Sequence, residues 1–373
     1  QAEDGIRDAQ ESRGLGDVYK RQIQDNRKIR HELLRIALGI WDHIKNGGDH
    51  GADHWALEWI GMLPGKRESR RFLGEHVLRQ QDLEQATPFD DRVAYGGWSI
   101  DLHPPEGIDR PDLPPCEQHR LPQPYSIPLR SLYSRNVHNL LFAGRNISAT
   151  HVAFGSTRVM ATCAVMGQAV GTAAAIAARE KRLPRDFVRD PTALKQLQQT
   201  LLRNDQTLLN CPNADDADLA RAARVTASSE QPGHPAGHVT NGATRTIGKD
   251  SNQWRSQPLR GCEHVELAWD TAQSLSRVQI IFDTGFGRPL TLSHDDAYTR
   301  RMIRGPQPET VRDYEVHVRD GSAWRSVAKV TGNYHRRRVH TFEPVRTDAL
   351  RVVVQGTHGD PSARIFEIRA YCS

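Results

Sequence analysis

Side chains able to do redox or acid–base chemistry lie close together between positions 151 and 158. His151 offers a titratable imidazole, Ser156 and Thr157 offer hydroxyl groups, and Arg158 offers a permanent cation. We predict that Ser156 or Thr157 caps the helix that follows, because hydroxyl side chains are favoured at that position. The free N–H groups at such a helix start suit an anion or a developing negative charge.

The predicted helix runs to about Arg179 and carries no charged residue from 159 to 178. It is rich in Ala, Gly, Thr and Gln rather than Leu, Ile or Phe, so we reject a membrane span. A helix without charge is instead expected to be buried on nearly all sides. Gly167 and Gly171 leave one face of nearly bare backbone, which lets the helix approach a sheet or a flat ligand closely.

A strand is predicted to lead into the polar loop that precedes this helix. Residues 140–143 form a short apolar run that ends at Gly144 and Arg145. Such a run predicts a buried strand of a parallel sheet. Strand, polar loop and long helix therefore form one α/β unit around the reactive residues.

The run AGRNISATHVAFGSTRVMATCAVMGQAVGTAAA, at 143–175, resembles the C-terminal flavin-binding segment of the bacterial FAD-dependent oxidoreductase family. This resemblance implies an α/β fold of the two-dinucleotide-binding-domain flavoprotein type, FAD as cofactor, and hydride transfer from a small-molecule substrate. It also implies catalytic roles for Arg158 and His151 beside the flavin. The cofactor-binding residues implied by position are Gly144, Arg145, Ser156, Thr157, Arg158, Gly167, Gln168 and Gly171.

A basic stretch at 64–71, PGKRESRR, is similar to a motif of the same family that lies beside the flavin and the substrate. The resemblance implies that Arg67, Glu68 and Arg70 contact the cofactor or the substrate. Composition alone fits a solvated turn equally well.

A third stretch combines an aromatic side chain, a carboxylate and an imidazole. Trp98 and Asp101 are predicted to line a substrate pocket, and His103 is predicted to act in catalysis. The alternative for His103 is a purely structural histidine in a capped turn.

Composition limits the function classes. The chain has 373 residues, enough for two or three domains, and a net charge of +5 that is spread along its length. No dense basic block with interleaved aromatic residues occurs, so nucleic-acid binding is not expected. None of the five cysteines has CxxC spacing, so neither a zinc ribbon nor an iron–sulfur cluster is expected.

Residues 1–22 resemble translated sequencing-adapter read-through and lack the apolar segment of a signal peptide, so we predict a tail foreign to the protein. An ordinary polar tail is the alternative. A dinucleotide-binding flavoprotein opens with a strand, a G-x-G-x-x-G turn and a helix, and this chain has no such motif. We therefore predict the C-terminal part of a longer flavoprotein, which by itself does not hold FAD tightly. Localisation stays open, with a periplasmic or extracellular place favoured.

After a predicted helix at 191–209 and a polar linker at 210–219, the hydrophobic period changes from helical to two, which predicts an antiparallel sandwich. The opening ARVTASSEQ and the closing ARIFEIRAYCS resemble the discoidin, or coagulation factor 5/8 type C, module. The resemblance implies a galactose-binding-like jelly roll that binds a glycan or another cell-surface ligand. It also implies a structural calcium ion at Asn241 and Glu367, although the family more often has Asp where Asn241 stands.

We predict a chain in which residues 23–209 are of the oxidoreductase type and residues 220–373 form a sandwich. Two alternative functions are consistent with this arrangement. The first is an FAD-dependent oxidoreductase, acting on a carbohydrate-related substrate, whose sandwich localises it. The alternative is a non-catalytic binding protein in which the sandwich carries the activity. The intact flavin segment favours the enzyme.

Overall fold

We analysed a computed structural model that describes residues 24–63, 65, 68, 70–104, 107, 110–288, 293 and 295–372. Arg67 and the predicted foreign tail at 1–22 lie outside the described residues. The chain divides into two compact units. The first unit contains the described residues up to Leu201 together with Leu208–Asn210, and the second contains Leu202–Thr207 and the chain from Cys211 onwards.

The helices of the described chain are mostly in the first unit. They are α1 (Asn26–Asn46), α2 (Gln80–Glu84), α3 (His151–Thr157), α4 (Met160–Glu180), α5 (Asp186–Arg189), α6 (Pro191–Arg203) and α7 (Asp296–Arg301). Helix α1 has Ile29, Leu33, Ile36, Ile40 and Ile44 at helical spacing, an amphipathic pattern that predicts a helix here, and it ends at Asn46 before Gly47. Helix α6 ends at Arg203 rather than at Leu209.

The strands described in the first unit are short and antiparallel. Strand β1 (Arg92–Gly96) pairs with β4 (Tyr125–Pro128), and β2 (Ile100–Leu102) pairs with β3 (Glu117–His119). The predicted parallel strand at 140–143 is wrong for the described residues. In this segment Leu141 forms only an isolated antiparallel bridge with Tyr133. The two hydrogen bonds of the bridge join Leu140 and Phe142 to the backbone at residues 134 and 132, so no parallel strand partner is present among the described residues.

The predicted single helix is divided in two. Thr150 caps α3, since its hydroxyl group accepts from the N–H of Ala153. The backbone leaves the helical conformation at Val159, where ψ is 146°, and α4 begins at Met160. Ser156 and Thr157 are therefore the last residues of α3 and do not cap a helix, contrary to the sequence prediction.

Helix α4 is buried on one face only. Its buried residues are Thr162, Met166, Ala169, Ala173, Ile176 and Ala177. Gly167 and Gly171 are exposed, and no described atom lies within 4 Å of the position that a Cβ would take at either glycine. The prediction of burial on nearly all sides is therefore wrong for the described chain. By length and composition α4 is also long and apolar enough to cross a membrane, and 33% of its most apolar window is buried.

The second unit is an antiparallel β structure. Its strands are β5 (Arg224–Ala227), β6 (Trp254–Pro258), β7 (Glu263–Phe282), β8 (Val311–Asp320), β9 (Ala323–Val330), β10 (Arg337–Thr357) and β11 (Ser362–Tyr371). They are ordered β6-β11-β7-β10-β8-β9, and β5 also pairs with β7. The two longest strands, β7 and β10, lie next to each other in the sheet. Strand β7 pairs with β10 along one edge, and with β5 and then β11 along the other edge.

One hydrophobic core fills the second unit. Trp254, Tyr314 and Phe282 are fully buried there among Val, Ile and Leu side chains from most of the strands. Alternate residues of β8 are buried, as expected for a strand with one face on a core. This architecture agrees with the all-β class that the period-two pattern predicted.

Candidate functional site

The short helix α3 positions the reactive residues of the first unit. His151 is its first residue, and Arg158 follows its last residue. At 1.5 Å per residue these two positions are about 10 Å apart along the helix axis. Gly155 lets α3 contact strand β2 directly, because a Cβ at this position would lie 2.9 Å from the carbonyl oxygen of Asp101.

A buried ion pair lies at the C-terminal end of α3. Arg158 Nη2 is 3.0 Å from Asp101 Oδ2, and the same nitrogen is 3.1 Å from His103 Nε2. The Arg158 side chain is only 9% exposed, so its charge is held in a protected environment. The structure therefore brings together Arg158, Asp101 and His103, which the sequence analysis selected from separate motifs.

The hydrogen bonds of His103 indicate its tautomer. Its Nδ1 lies 3.1 Å from the carbonyl oxygen of Pro115, which can only accept, so Nδ1 carries the proton. Its Nε2 is then an acceptor that faces Arg158. The imidazole is oriented from both sides.

Cys116 is a member of this cluster that the sequence analysis missed. Burial raises the pKa of its thiol, and the neighbouring Asp101 carboxylate raises it further through its charge and a hydrogen bond. The thiol therefore stays protonated at neutral pH. Nothing in the sequence marks this cysteine, because only the pairing of β2 with β3 brings its segment beside Asp101.

The two hydroxyl residues of α3 differ. Ser156 is used inside the fold: its Oγ donates to the carbonyl oxygen of Trp98 at 2.6 Å and lies 2.7 Å from Tyr125 Oη. Thr157 is equally buried, but its Oγ1 has no hydrogen-bond partner among the described residues. The indole of Trp98 is 51% exposed, so it stays available to a ligand.

A second cluster lies at the N-terminal end of α3. His151 Nδ1 is 2.7 Å from Glu68 Oε2, and Arg71 forms an ion pair with the other oxygen of the same carboxylate. The Arg71 side chain also lies over the ring of Phe154, with 5.9 Å between Cζ and the ring centroid. Of the basic run, Glu68 lies against His151, whereas Arg70 is exposed and its neighbour Arg71 forms the ion pair with Glu68; the predicted contact of Glu68 with a cofactor or substrate stays a prediction.

The remaining predicted cofactor residues lie on an open surface. Gly144 has φ of +102°, which glycine adopts without strain, and Arg145 beside it is exposed. Gly167, Gln168 and Gly171 share the exposed face of α4. A flat ring fits against this glycine face, and the unpartnered Thr157 Oγ1 is a spare polar group near the start of the same helix. The described residues therefore fit the isoalloxazine end of a flavin.

The predicted calcium ligands of the second unit have protein partners. Both oxygens of Glu367 accept from Arg369, at 2.6 and 3.1 Å, and Asn241 Oδ1 accepts from the N–H of Ala243. A carboxylate that already faces a guanidinium group is a poor calcium ligand. The calcium site stays a prediction that this arrangement does not favour.

Comparison with known proteins identifies the family of the first unit. A sequence model described as FAD dependent oxidoreductase matches residues 4–201. The chain belongs to the FAD dependent oxidoreductase family. The match includes α3, α4 and both charged clusters. No curated protein matches the chain.

Solved structures similar to part of the chain are carbohydrate-binding modules. CpGH89CBM32-5 from Clostridium perfringens, in complex with GalNAc-β-1,3-galactose, is 15% identical, with a TM-score of 0.31, over 42% of this chain and 99% of that chain. Chitosan-binding module 1 from a Paenibacillus chitosanase/glucanase is 18% identical, with a TM-score of 0.32, over 42% and 98%. The family 32 module of Streptococcus pneumoniae EndoD is 17% identical, with a TM-score of 0.32, over 42% and 99%.

Proposed function

We propose that the first unit is the flavin-facing part of an oxidoreductase that takes a hydride from a small-molecule substrate. The observation that carries this proposal is the buried Arg158, fixed between Asp101 and His103 where α3 gives way to the open face of α4. A fixed cation beside a flat open surface suits a ring that gains negative charge on reduction.

FAD, when bound, accepts the two electrons, and the protein supplies binding, orientation and charge. Gly167, Gln168 and Gly171 would hold the ring on the α4 face. Arg158 and the free hydroxyl group of Thr157 would lie at its polar edge.

The rest of the chemistry concerns protons at named atoms. His103 keeps its proton on Nδ1 through Pro115, and its Nε2 accepts from Arg158 in this structure, so Nε2 would accept a proton from a substrate hydroxyl group only where the substrate takes the place of Arg158 at that nitrogen. The Asp101 carboxylate holds Arg158 in place and balances its charge. Trp98, half exposed, would cover one side of the substrate.

Flavin titration of the purified chain tests the proposal. Because the contacts lie at the ring and the sequence contains no G-x-G-x-x-G turn, riboflavin, FMN and FAD should bind weakly and with similar affinity. Gly171→Leu should abolish binding, because the side chain fills the ring position. Ala178→Leu is the matched control, since it adds the same side chain to the same exposed face about 10 Å further along the helix.

The titration also separates the alternatives. Equal binding by both leucine variants would contradict the proposed ring site. A tight complex formed with FAD alone would contradict the expectation that the chain lacks contacts to the adenine half.

For the second unit we propose glycan binding, on the basis of the discoidin-like sequence resemblance. A polar cluster on this unit supports it: Arg255 and Arg364 both form ion pairs with Asp360, and both lie near His234. Burial and these two cations lower the pKa of His234. Hydroxyl groups of a sugar can form hydrogen bonds with all of these side chains.

A glycan-array screen of the chain tests this proposal. It should detect bound glycans, and Arg255→Ala should lose this binding. An array without any bound glycan would favour a protein-contacting or structural role.

A further inference from the structure

We propose that the end of helix α1 and the loop after it form a binding site for a divalent transition-metal ion such as Zn²⁺. The three ligands are His43, in the last turn of α1, and Asp49 and His50 in the loop. One donor atom from each lies within 4.8 Å of the other two. Neither the flavin site nor the second unit uses these residues.

The distances between donors suit a single ion. The Nε2 atoms of His43 and His50 are 3.0 Å apart, and His50 Nε2 is 3.3 Å from Asp49 Oδ1. Two ligands bound at about 2.0–2.2 Å from a metal, at angles between 90° and tetrahedral, lie about 2.8–3.6 Å apart. Both distances fall in that interval, and the donor atoms of His43 and Asp49 lie within 4.8 Å of each other, so rotation of the Asp49 side chain would complete the set around one ion.

The local chain is built to bring these side chains together. Lys45 Nζ donates to the carbonyl oxygens of Ala52 and Asp53, which holds the loop against the end of α1. Gly47 leaves the necessary space, because a Cβ there would lie 3.2 Å from Asp49 Oδ1 and 3.3 Å from His43 Nδ1. The negative end of the α1 dipole also favours a cation at this place.

The donor set indicates the class of metal. Two imidazole nitrogens and one carboxylate oxygen suit Zn²⁺, Co²⁺ or Ni²⁺ rather than Mg²⁺ or Ca²⁺, which prefer oxygen ligands. Without metal, one imidazole donates to the other through Nε2. Metal binding needs both Nε2 lone pairs, so the donating ring must move its proton to Nδ1. The exposed position leaves the remaining coordination places to water.

The test is a zinc titration of the full chain, with accessible thiols blocked by N-ethylmaleimide because the chain also has five cysteines. Competition with a zinc-sensitive dye reports the bound equivalents. We expect His43→Ala, Asp49→Asn and His50→Ala each to weaken the tightest site about tenfold or more. His31→Ala and His54→Ala are the matched controls, because both histidines are exposed and lie outside the cluster. Ca²⁺ should not compete.

A second readout reports the site in the unaltered chain. Diethyl pyrocarbonate modifies accessible histidines, and mass spectrometry locates each product. Zinc should slow the modification of His43 and His50 several-fold and leave His31 and His54 unchanged. Equal zinc affinity in all five variants, or equal modification of His43 with and without zinc, would overturn the proposal and leave only a His–His hydrogen bond that closes the helix end.

Discussion

The two units place their charged groups in opposite ways. In the second unit, Glu367 and Arg369 are fully buried on strand β11, in a sheet whose strands are up to 21 residues long. In the first unit, the ion pairs of interest lie at the two ends of the seven-residue helix α3, beside surfaces that a ligand can reach. The first arrangement encloses both charges within the fold, whereas the second leaves charge at the helix ends, where the proposed chemistry needs it.

This difference explains why the proposed redox chemistry is assigned to the first unit. In the second unit the backbone groups of neighbouring strands form hydrogen bonds with one another, so most of these polar groups serve the unit's own structure. Helix α4 of the first unit leaves Gly167 and Gly171 exposed with no described atom nearby.

The largest effect is expected from the buried pair of the second unit. Glu367→Ala leaves the Arg369 guanidinium group buried without its counter-charge, which should lower the free energy of unfolding by about 3–5 kcal/mol. Denaturant unfolding followed by tryptophan fluorescence measures this loss. The double variant Glu367→Leu with Arg369→Met should be nearly neutral. A loss below about 1 kcal/mol in the single variant would mean that the pair is not held as described.

Replacing each of two glycines of the first unit by alanine should change the free energy of unfolding in opposite directions. Gly155→Ala forces a Cβ within 2.9 Å of the Asp101 carbonyl oxygen, so it should destabilise the unit by about 1–3 kcal/mol. Gly167→Ala meets no described atom and should stabilise α4 by about 0.5–1 kcal/mol. Thermal unfolding of both variants gives the comparison. If Gly155→Ala proved neutral or stabilising, the close contact between α3 and β2 would be contradicted.

The charge of Arg158 should tune the flavin in the flavin-loaded enzyme. Arg158→Ala removes a cation beside the reduced ring, so the reduction potential should fall by about 30 mV, which corresponds to about 1.4 kcal/mol. Spectroelectrochemical titration measures the shift, and Arg158→Lys is the control because it keeps the charge. An unchanged potential in Arg158→Ala would remove this role from the residue.

The smallest expected effect concerns pH and the second unit. Burial lowers the pKa of His340 to about 4, and its Nε2 lies 2.9 Å from Tyr314 Oη. An unfolded histidine binds its proton at about pH 6.5, so between pH 6.5 and 4 the unfolded state holds more protons than the folded state. The contribution of His340 to the free energy of unfolding should therefore be fully present above about pH 6.5. The free energy of unfolding should fall by about 1 kcal/mol as the pH drops towards 4.

The matched variant for this pH effect is His340→Gln, which cannot titrate. Its free energy of unfolding should vary less than that of the unaltered chain between pH 6.5 and 4. Parallel profiles for the two proteins would assign the acid sensitivity to other groups.

Much of the architecture could be predicted from local pattern. The apolar stripe of α1, the change to a period of two after position 220, and the flavin segment all depend on residues that are near in sequence. Arg158 was selected from one motif, and Asp101 and His103 were selected from another, 57 positions away from Arg158 in the case of Asp101. Their residue types marked them as candidates, and only the structure brings them together.

The errors share a different origin. The run at 140–143 has the composition of a buried strand, but the backbone at 132–134 takes its hydrogen bonds. The stretch from 151 to 180 has the composition of one helix, yet Val159 is extended and divides it. Local composition does not report which neighbouring segment competes for a backbone group.

The sequence by itself determined the family, the uncharged glycine-bearing helix and the all-β character of the second unit, because these follow from short-range spacing. Only the tertiary structure decided that Arg71 rather than Arg70 reaches Glu68, that Cys116 lies beside Asp101, and that His43 meets His50. The Cys116 contact depends on the pairing of β3 with β2, and the His43 contact depends on the loop that folds back onto the end of α1. Arg71 and Glu68 are only three positions apart, but the cations of the basic run are alike in composition, and the position of each side chain in the fold decides which one meets the carboxylate.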